Sequence, residues 1–479
     1  MRALKKFLFN NTSDKQTIIK NTFWLAVGQV VGRLIRVLII IYAARILGAE
    51  SYGAFSYALS IAALLSILAD LGINGTIVRE LAKEEREKII GTAITLKITL
   101  LFLIALMIPF LAPYLTNIKE AVILIPIATL IFIFDSIRDT GSAIARAKQK
   151  MEYESWAFII TNIAITTLGF TALYLNPNTL YLSIGYALGS LIGTIAIIYF
   201  IRNIKLNLLL SLKNLQIKKL LKISLPFAVV SIMGAVMINT DIVMLGWLTS
   251  AKETGLYSVA QRPIQLLYIF PGIIATSFFP LTAKLFKDHP ERVPKLLEYG
   301  LSFLTLLALP TAIIGALFSQ ELINLFFGQI YEPAYLSLAI LSLSIIFVFP
   351  SILIGNTIFA TGHEKKLITY SLIGITGNII LNLLLIPSYG ILGCALATLI
   401  TQATINSYLI IKAKQILPFK IFKNIYKIII SAIIILLFGL ILKNANVYFI
   451  TNIIIISVSY LIILKIIKEP IITIKNPHL

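Results

Sequence analysis

Charged side chains are scarce in this sequence, and carboxylates are the scarcer sign. Asp, Glu, Lys and Arg make up 13% of the 479 residues, whereas soluble domains typically carry about 25%. The single cysteine, Cys394, excludes an internal disulfide bond. The three histidines, His289, His363 and His478, lie outside the apolar runs, so we expect no metal site. The sequence also lacks a Walker-type phosphate-binding loop and an HExxH zinc motif, which excludes an ATPase or a zinc peptidase of those classes.

Long hydrophobic runs, in contrast, recur from end to end. Hydrophobic residues make up 58% of the chain, and the mean hydropathy is +0.93. Many runs are long enough to cross the ~30 Å hydrocarbon core of a bilayer. The pattern predicts an all-α polytopic membrane protein with 14 transmembrane helices. The predicted spans cover residues 22–46, 53–78, 90–113, 120–145, 154–175, 179–201, 223–248, 255–281, 299–326, 334–360, 366–386, 391–412, 421–442 and 447–467.

Lys and Arg concentrate in every second connection between the spans. The alternate connections contain only Arg45, Lys119, Lys252 and Lys443, although the chain has 41 Lys and Arg residues in all. Because cytoplasmic connections carry the excess of positive charge, we expect a multi-pass protein of the cell membrane with both termini in the cytoplasm. The same distribution accounts for the net charge of +20, so we expect no nucleic-acid partner.

A weak internal repeat predicts how the spans are grouped. The segment ESYGAFSYA from Glu50 resembles KETGLYSVA from Lys252, and a basic connection follows each segment at nearly the same offset. Chance similarity is the alternative, because short membrane motifs recur; equivalent positions in the topology favour a true repeat of six helices, an architecture of transporters. The predicted organisation is a cytoplasmic amphipathic N-terminus at 1–21, an N-lobe at 22–201, a cytoplasmic linker at 202–222, a C-lobe at 223–412, and two further helices with a cytoplasmic tail at 413–479.

Three predicted spans carry polar stripes deep in the membrane, where ionisable residues are costly and usually functional. Gln29, Arg33 and Arg36 share one face of the first span at i, i+4 and i+7, and Arg33 lies ~16 Å from the cytoplasmic end. The other stripes comprise Asp241 with Asn239 on span 7, and Gln261, Arg262 and Gln265 on span 8.

The simplest alternative treats these residues as ion pairs between helices, with Asp241 bonded to Arg36 or Arg262. Three arginines then face one aspartate, which leaves about two uncompensated buried charges. We therefore expect a hydrated, net-positive cavity that receives an anionic ligand. In this hypothesis Asp241 and Asn239 serve as a counter-ion or an ion-coupling site.

A second polar cluster is predicted near the cytoplasmic ends of spans 2 and 4. We interpret it as ion pairs that form a cytoplasmic gate, while Lys97 in span 3 is expected to snorkel to the membrane surface. The predicted gate residues are Asp70, Arg79, Asp135, Arg138 and Asp139.

Four segments resemble the polysaccharide-transporter (O-antigen flippase-like) family of the multidrug/oligosaccharidyl-lipid/polysaccharide superfamily. They are ARILGAESYGAFSYA (44–58), LADLGINGTIVREL (68–81), TGLYSVAQRP (254–263) and LNLLLIPSYGILGCALATLI (381–400). Each motif is degenerate, but together they cover both predicted lobes in the expected order.

The resemblance implies two six-helix lobes in a V shape, alternating access and a central cationic cavity. It implies that Arg33, Arg36 and Arg262 are the cavity arginines and receive the pyrophosphate-sugar head of a polyprenyl-linked glycan. From these implications we expect a non-enzymatic flippase that moves the glycan from the inner to the outer leaflet, with Gln29, Gln261 and Gln265 bonding the sugars. Expected partners are the glycan, membrane lipids and glycan-assembly enzymes; we expect a monomer without a cofactor, coupled to H⁺ or Na⁺.

Two other functions remain open on the sequence alone. A multidrug or cation antiporter of the same superfamily is the first, although its cationic cargo favours acidic cavities. A membrane glycosyltransferase or glycan polymerase is the second. The very short outer connections, such as residues 176–178 and 388–390, leave it little room for a catalytic loop.

Overall fold

The structure is a computed structural model, and it describes residues 9, 11, 13–81, 87–204, 214–363, 365–420, 422–444 and 448–467. No β-strand occurs in these residues, which form α-helices joined by short connections. The predicted all-α fold is confirmed. The predictions for residues 1–8 of the N-terminus, 205–213 of the linker and 468–479 of the tail lie outside the described residues.

Fifteen α-helices are described. They are α1 (Asp14–Asp70), α2 (Ile73–Leu81), α3 (Glu87–Leu115), α4 (Lys119–Ala147), α5 (Met151–Leu175), α6 (Thr179–Ile201), α7 (Asn214–Leu248), α8 (Ala251–Leu267), α9 (Ile269–Asp288), α10 (Val293–Leu317), α11 (Ser319–Phe326), α12 (Tyr335–Ala360), α13 (Lys365–Ile416), α14 (Phe422–Asn444) and α15 (Phe449–Ile466). Two short 3₁₀ helices cover Pro290–Arg292 and Gln329–Ala334.

Glycines break the two longest helices. Gly48 (φ 72°) divides α1 into arms 14–47 and 49–70, and Gly390 (φ 55°) divides α13 into arms 365–389 and 391–416. A positive φ is strained for residues with a Cβ, so each break falls where the predicted turn contains glycine. The described residues of the fourteen predicted spans lie mostly on helices, with breaks inside spans 53–78, 255–281 and 299–326. Eleven helical stretches of the described residues are long and apolar enough to cross a membrane.

The chain forms two compact units, Met1–Gly255 and Leu256–Leu479, here called the first and second unit. The division falls inside α8, so the first unit contains α1 to α7 and the first residues of α8. The lobe boundary predicted in the linker 202–222 stays a prediction.

Small residues bring the helices of the first unit close together. A Cβ atom on Gly28 would lie 2.9 Å from the backbone of Ser155, and one on Gly32 would lie 2.6 Å from the ring of Phe158. Ser155 Oγ also donates to the Trp24 carbonyl at 2.6 Å. In a membrane the hydrophobic effect does not drive helices together, so they often pack through glycines that let their backbones approach closely. Here Gly28 and Gly32 allow α1 to pack closely on α5.

In the second unit the last two helices pack on α10. Their cluster buries Ile313 of α10 and Phe318, which directly follows α10, against Ile435 of α14 and Ile456 of α15. Lys443 near the end of α14 donates to the Leu317 carbonyl at the end of α10, which satisfies one of the unbonded carbonyls at that helix terminus.

Candidate functional site

The arginine stripe of α1 lies beside the face that packs on α5. Because Gly28 and Gly32 turn toward α5, the neighbouring stripe of Gln29, Arg33 and Arg36 is left partly or fully accessible. Arg33 Nε donates to Gln29 Oε1 at 3.2 Å. The predicted common face of these three residues is therefore present on the helix.

Arg36 binds an aromatic ring instead of a carboxylate. Its guanidinium carbon lies 4.7 Å from the ring centroid of Tyr186 in α6, a cation–π contact. Within the described residues of the first unit, no carboxylate oxygen lies within 4.0 Å of the guanidinium nitrogens of Arg33 or Arg36. The contacts of Arg33 and Arg36 within the described first unit are thus with neutral groups, Gln29 and Tyr186. Whether Asp241 serves as their counter-ion stays a prediction.

Asp241 and Asn239 lie on α7 in the same unit. Asp241 is 3% exposed and is engaged within the protein. Asn239 Nδ2 donates to the Ala235 carbonyl one turn earlier at 2.9 Å, so its amide hydrogen-bonds within its own helix. The prediction that these residues couple transport to an ion stays a prediction.

The remaining predicted binding residues belong to the second unit, on α8. Two tyrosines anchor this segment, Tyr257 within α8 and Tyr268 directly after its last residue. Tyr257 Oη lies 3.3 Å from Thr398 Oγ1, and Tyr268 Oη lies 3.4 Å from Ser344 Oγ. Gln261, Arg262 and Gln265 lie between these anchors and are partly exposed. Within the part of the second unit that the structure describes, their side chains have no hydrogen-bond or salt-bridge partner, so they are free to bind a ligand.

Lys97 forms a buried ion pair in the first unit, and the expectation that it snorkels to the membrane surface is wrong. Its side chain is 2% exposed, and Nζ donates to Asp70 Oδ1 at 2.7 Å and to Asn74 Oδ1 at 3.0 Å. Asn74 also accepts from Thr140 Oγ1 at 3.2 Å. The break between α1 and α2 brings Asp70 and Asn74 to the depth of Lys97. The Lys97 ammonium group therefore bonds these two side chains instead of reaching the membrane surface.

The other predicted gate residues form two separate groups. Arg138 donates to Asp135 Oδ1 at 2.6 Å and to Asp139 Oδ1 at 3.0 Å, all three on α4. Arg79 pairs with its neighbour Glu80 at 3.0 Å, and its guanidinium carbon lies 5.5 Å from the ring centroid of Phe227 in α7. The five predicted residues thus belong to three ion-pair groups of the first unit, and no single described cluster unites them. Their role as a gate stays a prediction.

The sequence did not predict one ion-pair group, which lies around the connection from α4 to α5. Lys20 is fully buried, and its Nζ donates to Asn11 Oδ1 at 2.7 Å, to the Gln149 carbonyl at 3.1 Å and to Glu152 Oε2 at 3.0 Å. Arg146 and Glu154 form a second pair with two hydrogen bonds. Two glutamates in the first turn of a helix within a basic connection are the signal that could have identified this group.

Two contacts hold α7 and the start of α8 against the first helical hairpin. A methyl group on Gly53 would overlap the Ala251 carbonyl oxygen, and one on Gly255 would overlap the Ala49 carbonyl oxygen. This reciprocal contact joins the two repeat segments and is here called the glycine crossing. Beside it, Tyr57 Oη and Trp247 Nε1 donate to the Leu115 carbonyl at 3.2 and 3.1 Å.

The second contact lies at the other end of α7. A Cβ atom on Gly72 would overlap the backbone of Ser224 and Ala228, and Thr76 Oγ1 lies 2.8 Å from Ser224 Oγ. Midway along α7, by contrast, a Cβ atom on Gly234 would meet nothing within 4 Å. These contacts hold α7 near both of its ends, while Gly234 between them faces open space.

Comparisons with known proteins find matching family models and relatives. A family model described as "Polysaccharide biosynthesis protein" matches residues 18–286, and a model described as "MatE" matches residues 226–384. The capsular polysaccharide biosynthesis protein CapF of Staphylococcus aureus is 26% identical over 389 residues, which cover 80% of this chain and 96% of CapF. The probable flippase AglR of Haloferax volcanii is 31% identical over 185 residues, which cover 37% of this chain and 39% of AglR.

Solved structures include a similar fold. The lipid II flippase MurJ in an inward closed conformation aligns with a TM-score of 0.78 at 18% identity, covering 93% of this chain and 99% of MurJ. At this identity the likeness shows the fold alone. A chain with this fold and eleven apolar helical stretches is a multi-pass membrane protein.

Proposed function

Because this chain belongs to the polysaccharide biosynthesis protein family, we propose that it is a flippase for a lipid-linked glycan. In this proposal it carries a polyprenyl-(pyro)phosphate-linked saccharide from the inner to the outer leaflet by alternating access. The names of CapF and AglR, one a capsular polysaccharide biosynthesis protein and the other a probable flippase, support a glycan cargo and a flipping activity.

The observation that carries the proposal is the charge state of the α1 stripe. Arg33 and Arg36 are held by Gln29 and Tyr186, and neither has a carboxylate within 4.0 Å in the described first unit. An unpaired positive charge in a membrane-spanning helix is costly, and arginine binds phosphate through two parallel hydrogen bonds. A diphosphate that binds beside α1 would supply the missing negative charge. Binding would then relieve the free-energy cost of the unpaired arginines, and this relief would add to the affinity for the substrate.

The second unit supplies the groups that suit the saccharide. Arg262 provides one further positive charge, while the free amides of Gln261 and Gln265 offer donors and acceptors to sugar hydroxyls. The prenyl chain would stay in the bilayer, because moving it into a polar site would lose the favourable free energy of keeping its apolar surface in hydrocarbon.

Several finer points belong to the same proposal. The chain lies in the cell membrane as a monomer with both termini in the cytoplasm, and it catalyses no covalent step. It receives its substrate from glycan-assembly enzymes. No cofactor is required, and Asp241 with Asn239 provides the site at which H⁺ or Na⁺ couples to transport.

Translocation of a fluorescent polyprenyl-diphosphate saccharide in proteoliposomes tests the proposal. Replacing both α1 arginines, Arg33→Gln with Arg36→Gln, should slow translocation at least about tenfold, since a charged hydrogen bond contributes about 1.5–3 kcal/mol. Arg202→Gln is a matched control, because Arg202 also stacks on a tyrosine, with its guanidinium carbon 3.7 Å from the Tyr199 ring centroid. Equal rates in the double variant and the control would overturn the role of the arginines.

An antiporter for cationic compounds is the second candidate, and the MatE match over residues 226–384 favours it. Such cargo needs a carboxylate, and Asp241 on α7 is the one the described α7–α8 stripes offer. If uptake of a fluorescent cation into proteoliposomes depended on Asp241 while glycan translocation was absent, the antiporter would replace the flippase.

A further inference from the structure

Two helices of the second unit carry matching lines of neutral polar side chains. On α8, Tyr257, Gln261 and Gln265 follow one another at intervals of four residues, and Thr398, Gln402 and Asn406 do the same on the second arm of α13. Residues four apart lie on one face of a helix. Since Tyr257 Oη lies 3.3 Å from Thr398 Oγ1, the two lines begin side by side.

The line on α13 is ordered by a chain of hydrogen bonds. Tyr370 Oη donates to Asn406 Oδ1 at 3.1 Å, and Asn406 Nδ2 donates to Gln402 Oε1 at 3.1 Å. Asn406 is 1% exposed, while Gln402 is partly accessible. Because the Gln402 oxygen accepts this bond, its NH₂ group is directed away from Asn406. Within the described second unit the NH₂ group makes no hydrogen bond, so it presents two fixed donors.

A second tyrosine, Tyr268, follows Gln265 within one turn, and its Oη lies 3.4 Å from Ser344 Oγ in α12. Gln261 and Gln265 therefore lie between two hydrogen-bonded tyrosine anchors, Tyr257 and Tyr268. Arg262 is the only ionisable group of α8 that lies between these anchors.

We propose that Gln402, with Gln261 and Gln265, forms a saccharide subsite in the second unit that recognises hydroxyl and acetamido groups. The inference rests on the proposed flippase function and deepens it, because it assigns sugar recognition to a neutral surface separate from the arginines of α1. In this assignment Asn406 and Tyr370 are positioning residues that fix the orientation of the Gln402 amide.

The chemistry of the subsite matches a sugar better than an apolar or charged ligand. Amides both donate and accept hydrogen bonds, as do sugar hydroxyls. A site built to bond such groups discriminates strongly against a ligand without them, because its polar groups are then left unpaired. At one end of the line the partly exposed ring of Tyr268 provides an apolar face for the CH groups of a sugar ring.

Two probes with the same prenyl chain test the assignment on the full-length protein in detergent. One is polyprenyl diphosphate, and the other is polyprenyl diphosphate carrying one N-acetylglucosamine; binding is measured by microscale thermophoresis. Gln402→Leu should weaken binding of the sugar-bearing probe about tenfold and leave the sugar-free probe unchanged. Thr404→Val is the matched control on the same helix arm, since the Thr404 hydroxyl bonds only the Ile400 carbonyl at 2.8 Å.

Positioning by the tyrosine is tested separately. Tyr370→Phe keeps the ring and removes one hydroxyl, so it should weaken binding of the sugar-bearing probe about threefold and leave binding of the sugar-free probe unchanged. Its unfolding temperature should change no more than that of Thr404→Val.

The outcomes separate the subsite from the flippase function. If Gln402→Leu weakens both probes equally, or neither, the subsite is overturned while the function stands. If the unaltered protein binds neither probe, the proposed function itself fails.

Discussion

Lys97 illustrates how one side chain depends on a partner that lies far away in sequence. Its buried ammonium group bonds Asp70 and Asn74, which lie on either side of the break between α1 and α2. A buried charge is stable only when it is paired and hydrogen-bonded. The pair therefore fixes α3 against the end of α1, and it makes the two residues interdependent.

Removing one charge of this pair should be strongly destabilising. Lys97→Met leaves Asp70 without its cation, and breaking a buried pair costs about 3–5 kcal/mol. Thermal unfolding in detergent should show this loss, whereas Lys97→Met combined with Asp70→Asn should recover most of it. Lys414→Met is the control, because Lys414 is exposed. If Lys97→Met unfolds at the temperature of that control, the buried pair does not stabilise the protein.

Sequence reasoning at this scale succeeded where periodicity decides and failed where tertiary contact decides. The i, i+4, i+7 spacing predicted the common face of Gln29, Arg33 and Arg36, and the structure bears this out. The partner of Lys97 depends on how α3 packs beside the α1–α2 break, which no local pattern encodes.

At the scale of helices, glycine positions govern both the turns and the close contacts. Gly48 and Gly390 break helices at a positive φ, and these breaks were predictable because each falls between two apolar runs. The glycine crossing was not predictable. The repeat identified Gly53 and Gly255 as equivalent, but the reciprocal contact with Ala251 and Ala49 is visible only in the packed helices.

The glycine crossing should not tolerate a single added methyl group. Gly53→Ala places a carbon atom on the Ala251 carbonyl, and backbone cannot move aside as a side chain can. Overpacking of this kind typically costs 1–3 kcal/mol, so the thermal unfolding temperature should fall. Gly234→Ala is the matched control, because the same methyl group there meets open space and should even stabilise the helix by up to about 1 kcal/mol. Equal effects of the two variants would contradict the contact.

For the whole molecule, charge distribution makes the sharpest prediction. In a Cys394→Ala background, Asn176→Cys lies in an exposed, short connection with almost no Lys or Arg, and His289→Cys lies in an exposed basic connection. A membrane-impermeant maleimide should label Asn176→Cys on intact cells and His289→Cys only after permeabilisation. The reverse pattern would invert the proposed orientation.

The helical architecture could be predicted from the sequence because each span is itself an apolar run long enough to cross the membrane. The grouping of spans depends on contacts between them. The repeat suggested a boundary in the linker 202–222, whereas α7 packs with the first unit through Gly72, Thr76 and the glycine crossing. A compact unit groups helices that pack together, whereas a transport lobe groups helices that move together during transport.

The hydrogen bond from Trp247 to the Leu115 carbonyl gives the protein a built-in optical reporter. The chain has three tryptophans, and Trp24 and Trp156 form a pair with ring centroids 5.8 Å apart. Trp247 lies apart from that pair, beside the glycine crossing, with its indole nitrogen bonded to one carbonyl. With phenylalanine at positions 24 and 156, all indole emission would come from Trp247. The emission wavelength would report the environment of the Trp247 indole beside the crossing, with no attached dye.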